Sequence, residues 1–141
     1  MKRTATAQWK GSLKDGSGTV SATSGIFSNV PYNTSGRFET GTGTSPEELI
    51  AAAHASCFAM ALSAELGKVG ITPDTLDTRA TVSLDKVAAG WTVTGSHLEV
   101  TATIPNADRA KFQQAADAAK AGCPISRLLK ADITLEAKLV G

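Results

Sequence analysis

Cysteine, excess charge and long apolar runs are all scarce in this sequence, and each scarcity removes a class of protein. Only two cysteines occur in 141 residues. No disulfide framework holds such a chain, and none is needed, because a chain of this length buries about two-thirds of its unfolded surface. Fourteen basic against thirteen acidic side chains leave a formal charge of +1. That balance lacks the basic footprint of a nucleic-acid binder or of a protein held at an anionic membrane. No apolar run approaches the ~18 residues of a membrane span. The opening Met1-Lys2-Arg3-Thr4-Ala5 leads into polar alternation rather than the apolar core of a secretory signal. A reducing cytoplasm is the expected compartment, with neither nucleic acid nor membrane among the partners. Internal repeats, low-complexity tracts and long linkers are also absent.

What is present is an ordinary globular composition, 42% apolar and 19% charged, at a length that suits a single domain over 1–141. The first quarter reads as β. Ala5, Ala7 and Trp9 alternate with Thr4, Thr6, Gln8 and Lys10, and an extended run resumes over 19–23 after a turn-forming stretch from Gly11 to Gly18. Residues 26–36 read as an irregular loop and Arg37-Phe38-Glu39-Thr40 as a short strand. The clearest helix start follows, with Ser45 as N-cap, Pro46 at the first helical position and Glu48 completing a capping box. From Pro46 to about Lys68 the chain is apolar nearly all round, which predicts a long, buried, central helix. Strands over 76–86 and 91–104 come next. A helix over about 109–121 is capped from Asn106-Ala107-Asp108, broken at Gly122 and restarted at Pro124, and a last strand runs from Ile133 to Leu139. Strands, buried helix, strands, helix, strand describe an α+β domain.

The two thiols occupy different settings. Cys57 lies in the middle of the long helix, where a free cysteine serves as a small hydrophobe unless something activates it. Burial disfavours its thiolate, so a thiolate at neutral pH needs about 3–4 kcal/mol of preferential stabilisation. A cation held in a dry site supplies that much; a surface lysine does not. Cys123 stands where an N-cap would sit, ahead of Pro124, and backbone N–H groups there favour a thiolate, although a small capping residue would fit equally well. Sixty-six residues separate the two cysteines, which is not zinc spacing, and His54 and His97 complete no four-ligand set. Two separated thiols in a reducing compartment suit a peroxidatic and a resolving cysteine.

Three side chains are candidates for tuning Cys57. His54, three residues earlier on the same helix, is near enough for a Cys–His arrangement, or is a packed, hydrogen-bonded core histidine. Arg37 is either a strand-surface charge or a guanidinium that stabilises a thiolate and donates to peroxide oxygens. Glu47 either complements the helix dipole, as Glu48 can, or orients Arg37. Ten residues of helix place Glu47 and Cys57 about 15 Å apart along the axis. They share a site only if a second subunit brings Arg37 and Glu47 to Cys57 or the first turn deviates strongly, and a homodimer with composite sites is the expectation.

Four segments carry a family resemblance: Gly36-Arg37-Phe38-Glu39; the block from Gly43 through Pro46-Glu47-Glu48-Leu49-Ile50 and Ala53-His54-Ala55-Ser56-Cys57-Phe58 to Leu62; Val82-Ser83-Leu84-Asp85-Lys86-Val87; and Lys120-Ala121-Gly122-Cys123-Pro124-Ile125-Ser126. Together they resemble the OsmC/Ohr family of osmotically inducible and organic hydroperoxide resistance proteins along the whole chain. The arginine twenty residues before the first cysteine resembles the OsmC branch, since Ohr proteins carry theirs near the N-terminus. The resemblance implies an OsmC-like fold, antiparallel sheets around the long buried central helix, in an intertwined homodimer. It implies a cysteine-based peroxidase acting on organic hydroperoxides and hydrogen peroxide in oxidative and osmotic stress. Cys57 would be peroxidatic and Cys123 resolving, with Arg37 and Glu47 as the family's arginine and glutamate. No bound cofactor or metal is implied; an external dithiol would reduce the disulfide, with lipoyl groups as the family precedent. A redox-linked protein that binds a hydrophobic ligand in the dimer cleft, and a thiol hydrolase pairing Cys57 with His54, are the alternatives.

Overall fold

A computed structural model describes all residues from Met1 to Gly141. The chain forms two compact units, Met1–Leu49 and Ile50–Gly141. In the first, β1 (Ala5–Lys10), β2 (Ser17–Ala22) and β3 (Val30–Tyr32) make an antiparallel sheet in that order. Gly18 in β2 faces Trp9 on one side and Tyr32 on the other. A Cβ there would come within 2.6 Å of the Tyr32 ring, so glycine is what lets the Trp9 and Tyr32 rings close to 5.4 Å across β2.

The segment expected to be a loop and then a strand differs in two ways. β3 falls inside the expected loop, where Pro31 obscured it. Arg37 lies not in a strand but in α1 (Thr34–Phe38), a single helical turn. The reason is local: Asn33 Oδ1 accepts from the Gly36 N–H at 2.6 Å and caps the turn. α2 (Pro46–Lys68) begins as expected, with Ser45 Oγ accepting from the Glu48 N–H at 3.1 Å. The Glu48 carboxylate does not reach back to Ser45 but accepts from the Thr44 hydroxyl at 2.7 Å.

In the second unit, β4 (Thr75–Val87) and β5 (Gly90–Thr103) form a long antiparallel hairpin, turning at Gly90, whose φ of +116° excludes most side chains. β6 (Asp132–Val140) pairs with β5, and here the pairing departs from the expected antiparallel arrangement, because β5 and β6 run parallel. Between them lie α3 (Arg109–Gly122) and α4 (Pro124–Leu128), a crossover long enough to return the chain to the same end of the sheet. Asp108 Oδ1 caps α3 by accepting from the Lys111 N–H. The core joins Phe58, Leu62 and Leu66 of α2, Leu98 and Val100 of β5, and Phe112 and Ala116 of α3, all essentially shut from solvent. Each of the large ones contributes about 1.5–3 kcal/mol by burial.

α2 is less buried than its composition predicts. His54, Phe58, Leu62 and Leu66 form its inward stripe, while Ala53, Ser56, Met60, Ser63 and Gly67, spaced three and four apart, stay exposed in the single chain. By length and composition this 23-residue helix could cross a membrane, its most apolar 18 residues reaching a mean hydropathy of 1.5. No unbroken apolar run of that length occurs, because His54, Ser56, Ser63 and Glu65 interrupt it, and the alanines keep its mean hydropathy high.

Candidate active site

The fold brings together two of the predicted pairs, one in each unit. In the second unit, Cys57 Sγ and Cys123 Sγ lie 2.8 Å apart. Cys57 is half-buried and Cys123 fully buried, and both are free thiols. Cys123 is the joint between two helices: its N–H donates to the Ala119 carbonyl to close α3, and its carbonyl accepts from the Arg127 N–H to open α4. Burial pushes the Cys57 thiol up, and the Cys123 thiol beside it adds to the rise. A backbone hydrogen bond from Ile125, in the first turn of α4, acts in the opposite direction. The helix start expected to favour a Cys123 thiolate thus serves Cys57 instead.

In the first unit, the Arg37 guanidinium clasps the Glu47 carboxylate. Nη2 lies 2.8 Å from Oε1, and Nε donates to Oε1 and Oε2 at 3.2 and 3.3 Å. Glu47, not Glu48, is therefore the partner of Arg37. The ion pair is built between the single turn of α1 and the first turn of α2, and the guanidinium carbon also stands 5.4 Å from the centre of the Phe38 ring. Beside it is an open pocket of about 260 Å³ walled by Trp9, Leu13, Tyr32, Phe38 and Pro46.

His54 is the packed histidine of the two readings. It is fully buried, with Nδ1 2.6 Å from Ser96 Oγ and Nε2 2.8 Å from Ser126 Oγ. A neutral imidazole offers one donor and one acceptor, so one serine accepts from the ring and the other donates to it. Burial pushes its pKa below the ordinary histidine value. Both ring nitrogens being taken, His54 has none left to serve Cys57 as a base, which removes the hydrolase arrangement. The sequence assigns no role to Ser96, and Ser126 stands in a segment that carries the family resemblance without any sign that it meets His54.

His97 lies on the opposite, outer face of the second sheet. Its Nδ1 is 2.5 Å from Thr134 Oγ1 and its Nε2 3.4 Å from Glu136 Oε2. His97, Glu99 and Glu136 are the one cluster whose ligand atoms lie within 4.8 Å of one another, the spacing a metal ion would need, but Glu136 is exposed and already paired with the histidine.

Residues 39–138 match the OsmC-like protein family. The chain is 51% identical over 133 residues to the peroxiredoxin OsmC of Escherichia coli strain K12, covering 94% of this chain and 93% of that one. Among solved structures, the organic hydroperoxide resistance protein OhrB of Bacillus subtilis superposes with a TM-score of 0.68 at 25% identity over 96% of this chain and 97% of its own. An OsmC-like protein of Mycoplasma pneumoniae reaches 0.77 at 19% identity over 100% and 99%, a likeness of fold. Fold, paired thiols and sequence likeness converge, and the chain belongs to the OsmC-like protein family.

Proposed function

We propose that this chain is a thiol peroxidase that reduces organic hydroperoxides, and hydrogen peroxide, through Cys57 and Cys123. The observation that carries the reading is the 2.8 Å approach of the two sulfurs, joined by 51% identity to a protein named a peroxiredoxin. The Cys57 thiolate attacks one peroxide oxygen and the O–O bond breaks. Sulfur is oxidised by two electrons to the sulfenic acid, and the alcohol leaves with a proton. The Cys123 thiol then attacks the Cys57 sulfur, forming the disulfide and releasing water. An external dithiol returns both cysteines to thiols while itself becoming a disulfide; lipoyl groups are the family precedent. No bound cofactor takes part, and the reaction belongs in the cytoplasm.

Because burial raises the Cys57 thiol, the first step needs a cation. In this reading Arg37, oriented by Glu47, supplies it from a second copy in a homodimer. Two features support that assembly and substrate. The exposed stripe Ala53, Ser56, Met60, Ser63 and Gly67 has the three-and-four spacing of a helix seam, and small residues there let two helices approach closely. The mostly apolar pocket beside Arg37 suits a hydroperoxide with an organic substituent.

Mixing the protein with an organic hydroperoxide and excess dithiol tests this. Wild type consumes the peroxide catalytically and Cys57→Ser does not; equal consumption by both overturns the reading.

A further inference from the structure

Two cross-links run side by side between α2 and the α4 segment. On α2, His54 and Cys57 are one turn apart; at the start of α4, Cys123 and Ser126 are one turn apart. His54 Nε2 meets Ser126 Oγ at 2.8 Å, and Cys57 Sγ meets Cys123 Sγ at 2.8 Å. The far side of the imidazole is held by Ser96 of β5 at 2.6 Å. All three members of this polar rung are buried.

Besides this rung, the α4 segment is held by Ile125, which packs partly buried against the core, and by its own turn of backbone hydrogen bonds. It is five residues long and has no side-chain hydrogen bond at its N-cap. Ser126 is its one buried residue, while Pro124, Arg127 and Leu128 are exposed. The hydrogen bond in a dry site is the one polar side-chain anchor of this segment, beside the apolar packing of Ile125.

We infer that His54 is a positioning residue for disulfide formation, fixing α4 through Ser126 so that Cys123 stands in attacking range of Cys57. The inference rests on the thiol chemistry proposed above. In the resolving step the Cys123 sulfur must displace oxygen from the Cys57 sulfenic acid, with the hydroxyl leaving as water after taking a proton. Its rate depends on how much of the time the two sulfurs are in contact. Removing the Ser126 hydroxyl unlatches α4 and leaves the His54 nitrogen without a buried partner. The attack on peroxide is made by Cys57, on α2, and does not require Cys123 to be in contact with it.

Rapid mixing with an organic hydroperoxide, followed by dimedone quenching and mass spectrometry, separates the two steps. In Ser126→Ala the conversion of sulfenic acid to disulfide slows on the order of ten-fold, while the phase proportional to peroxide is unchanged. Ser126→Thr, which keeps the hydroxyl, restores resolution. His54→Gln, with the Tm followed in parallel, slows resolution as Ser126→Ala does. An unaltered resolving rate in Ser126→Ala overturns the inference, as does a parallel fall of both phases that Ser126→Thr leaves unrescued. If the wild type forms neither sulfenic acid nor a Cys57–Cys123 disulfide, the thiol reading itself falls, and this inference with it.

Discussion

Cys123 Sγ stands 2.8 Å from Cys57 Sγ while the Cys123 backbone closes one helix and opens the next. The Cys123 backbone is fixed from both sides and its side chain is fully buried, so the pair is preorganised for disulfide formation. Replacing Cys123 by serine keeps the joint and removes the nucleophile. A Cys123→Ser protein treated with one equivalent of hydroperoxide accumulates a dimedone-trappable sulfenic acid on Cys57. Mass spectrometry showing the same brief lifetime as in wild type would rule out Cys123 as the resolving thiol.

The neighbouring thiol also sets the acidity of Cys57. Burial raises the Cys57 pKa, and Cys123 raises it further through a hydrogen bond and its own charge when ionised. In Cys123→Ala those contributions vanish, and the Cys57 pKa falls. The pH profile of iodoacetamide alkylation at Cys57 should move to lower pH; an unmoved or upward-shifted profile contradicts this.

Arg37 is positioned by a two-pronged contact with Glu47 at 2.8–3.3 Å. The arginine side chain is 39% exposed, so the pair contributes only about 0–1 kcal/mol to stability. Its effect should fall on rate. Arg37→Ala slows Cys57 oxidation by an organic hydroperoxide on the order of 10²-fold. Arg37→Lys recovers part of it, because an ammonium keeps the charge and loses the planar fork. A stopped-flow rate equal to wild type in Arg37→Ala would remove the arginine from the reaction.

His54 makes stability depend on pH in a defined direction. Its folded pKa lies below the unfolded value of about 6.5. Below that pH the unfolded state takes up the proton first, so the contribution of neutral His54 is present above about 6.5 and is lost as pH falls through the interval beneath it. Urea unfolding at pH 7.5 and pH 5.5 should show a larger acid loss in wild type than in His54→Gln. Equal losses would mean that His54 takes up its proton alike in the folded and unfolded states, which contradicts a lowered folded pKa.

The exposed seam of α2 predicts the assembly. Met60 is 76% exposed in the single chain, and a carboxylate at the centre of a helix–helix contact is desolvated without a partner. Light scattering should give a dimer mass for the wild type and a monomer mass for Met60→Asp, with peroxide turnover falling alongside. A monomeric, fully active wild type would refute the composite site.

Legibility in the sequence followed the range of the interactions. The start of α2 was readable because Ser45, Pro46 and the Glu48 N–H act within one turn, and β4 and β5 because their alternation is long. Arg37 was misplaced in a strand because Arg-Phe-Glu-Thr mimics β alternation, whereas Asn33 caps a turn from outside that window. The Ser96–His54–Ser126 rung was invisible, joining positions 42 and 72 residues apart along the chain.

By itself the sequence determined the α+β class and the element order from α2 onward, the pair of free thiols, and the residues that resemble one family. These depend on side-chain chemistry and on contacts within a few residues. The tertiary structure decided that β6 joins β5 in parallel, that Glu47 rather than Glu48 holds Arg37, that His54 is spent on two serines, and that Cys123 meets Cys57. Each of those is a choice among partners distant along the chain, made by packing of the core and by the tendency of buried polar groups to find partners.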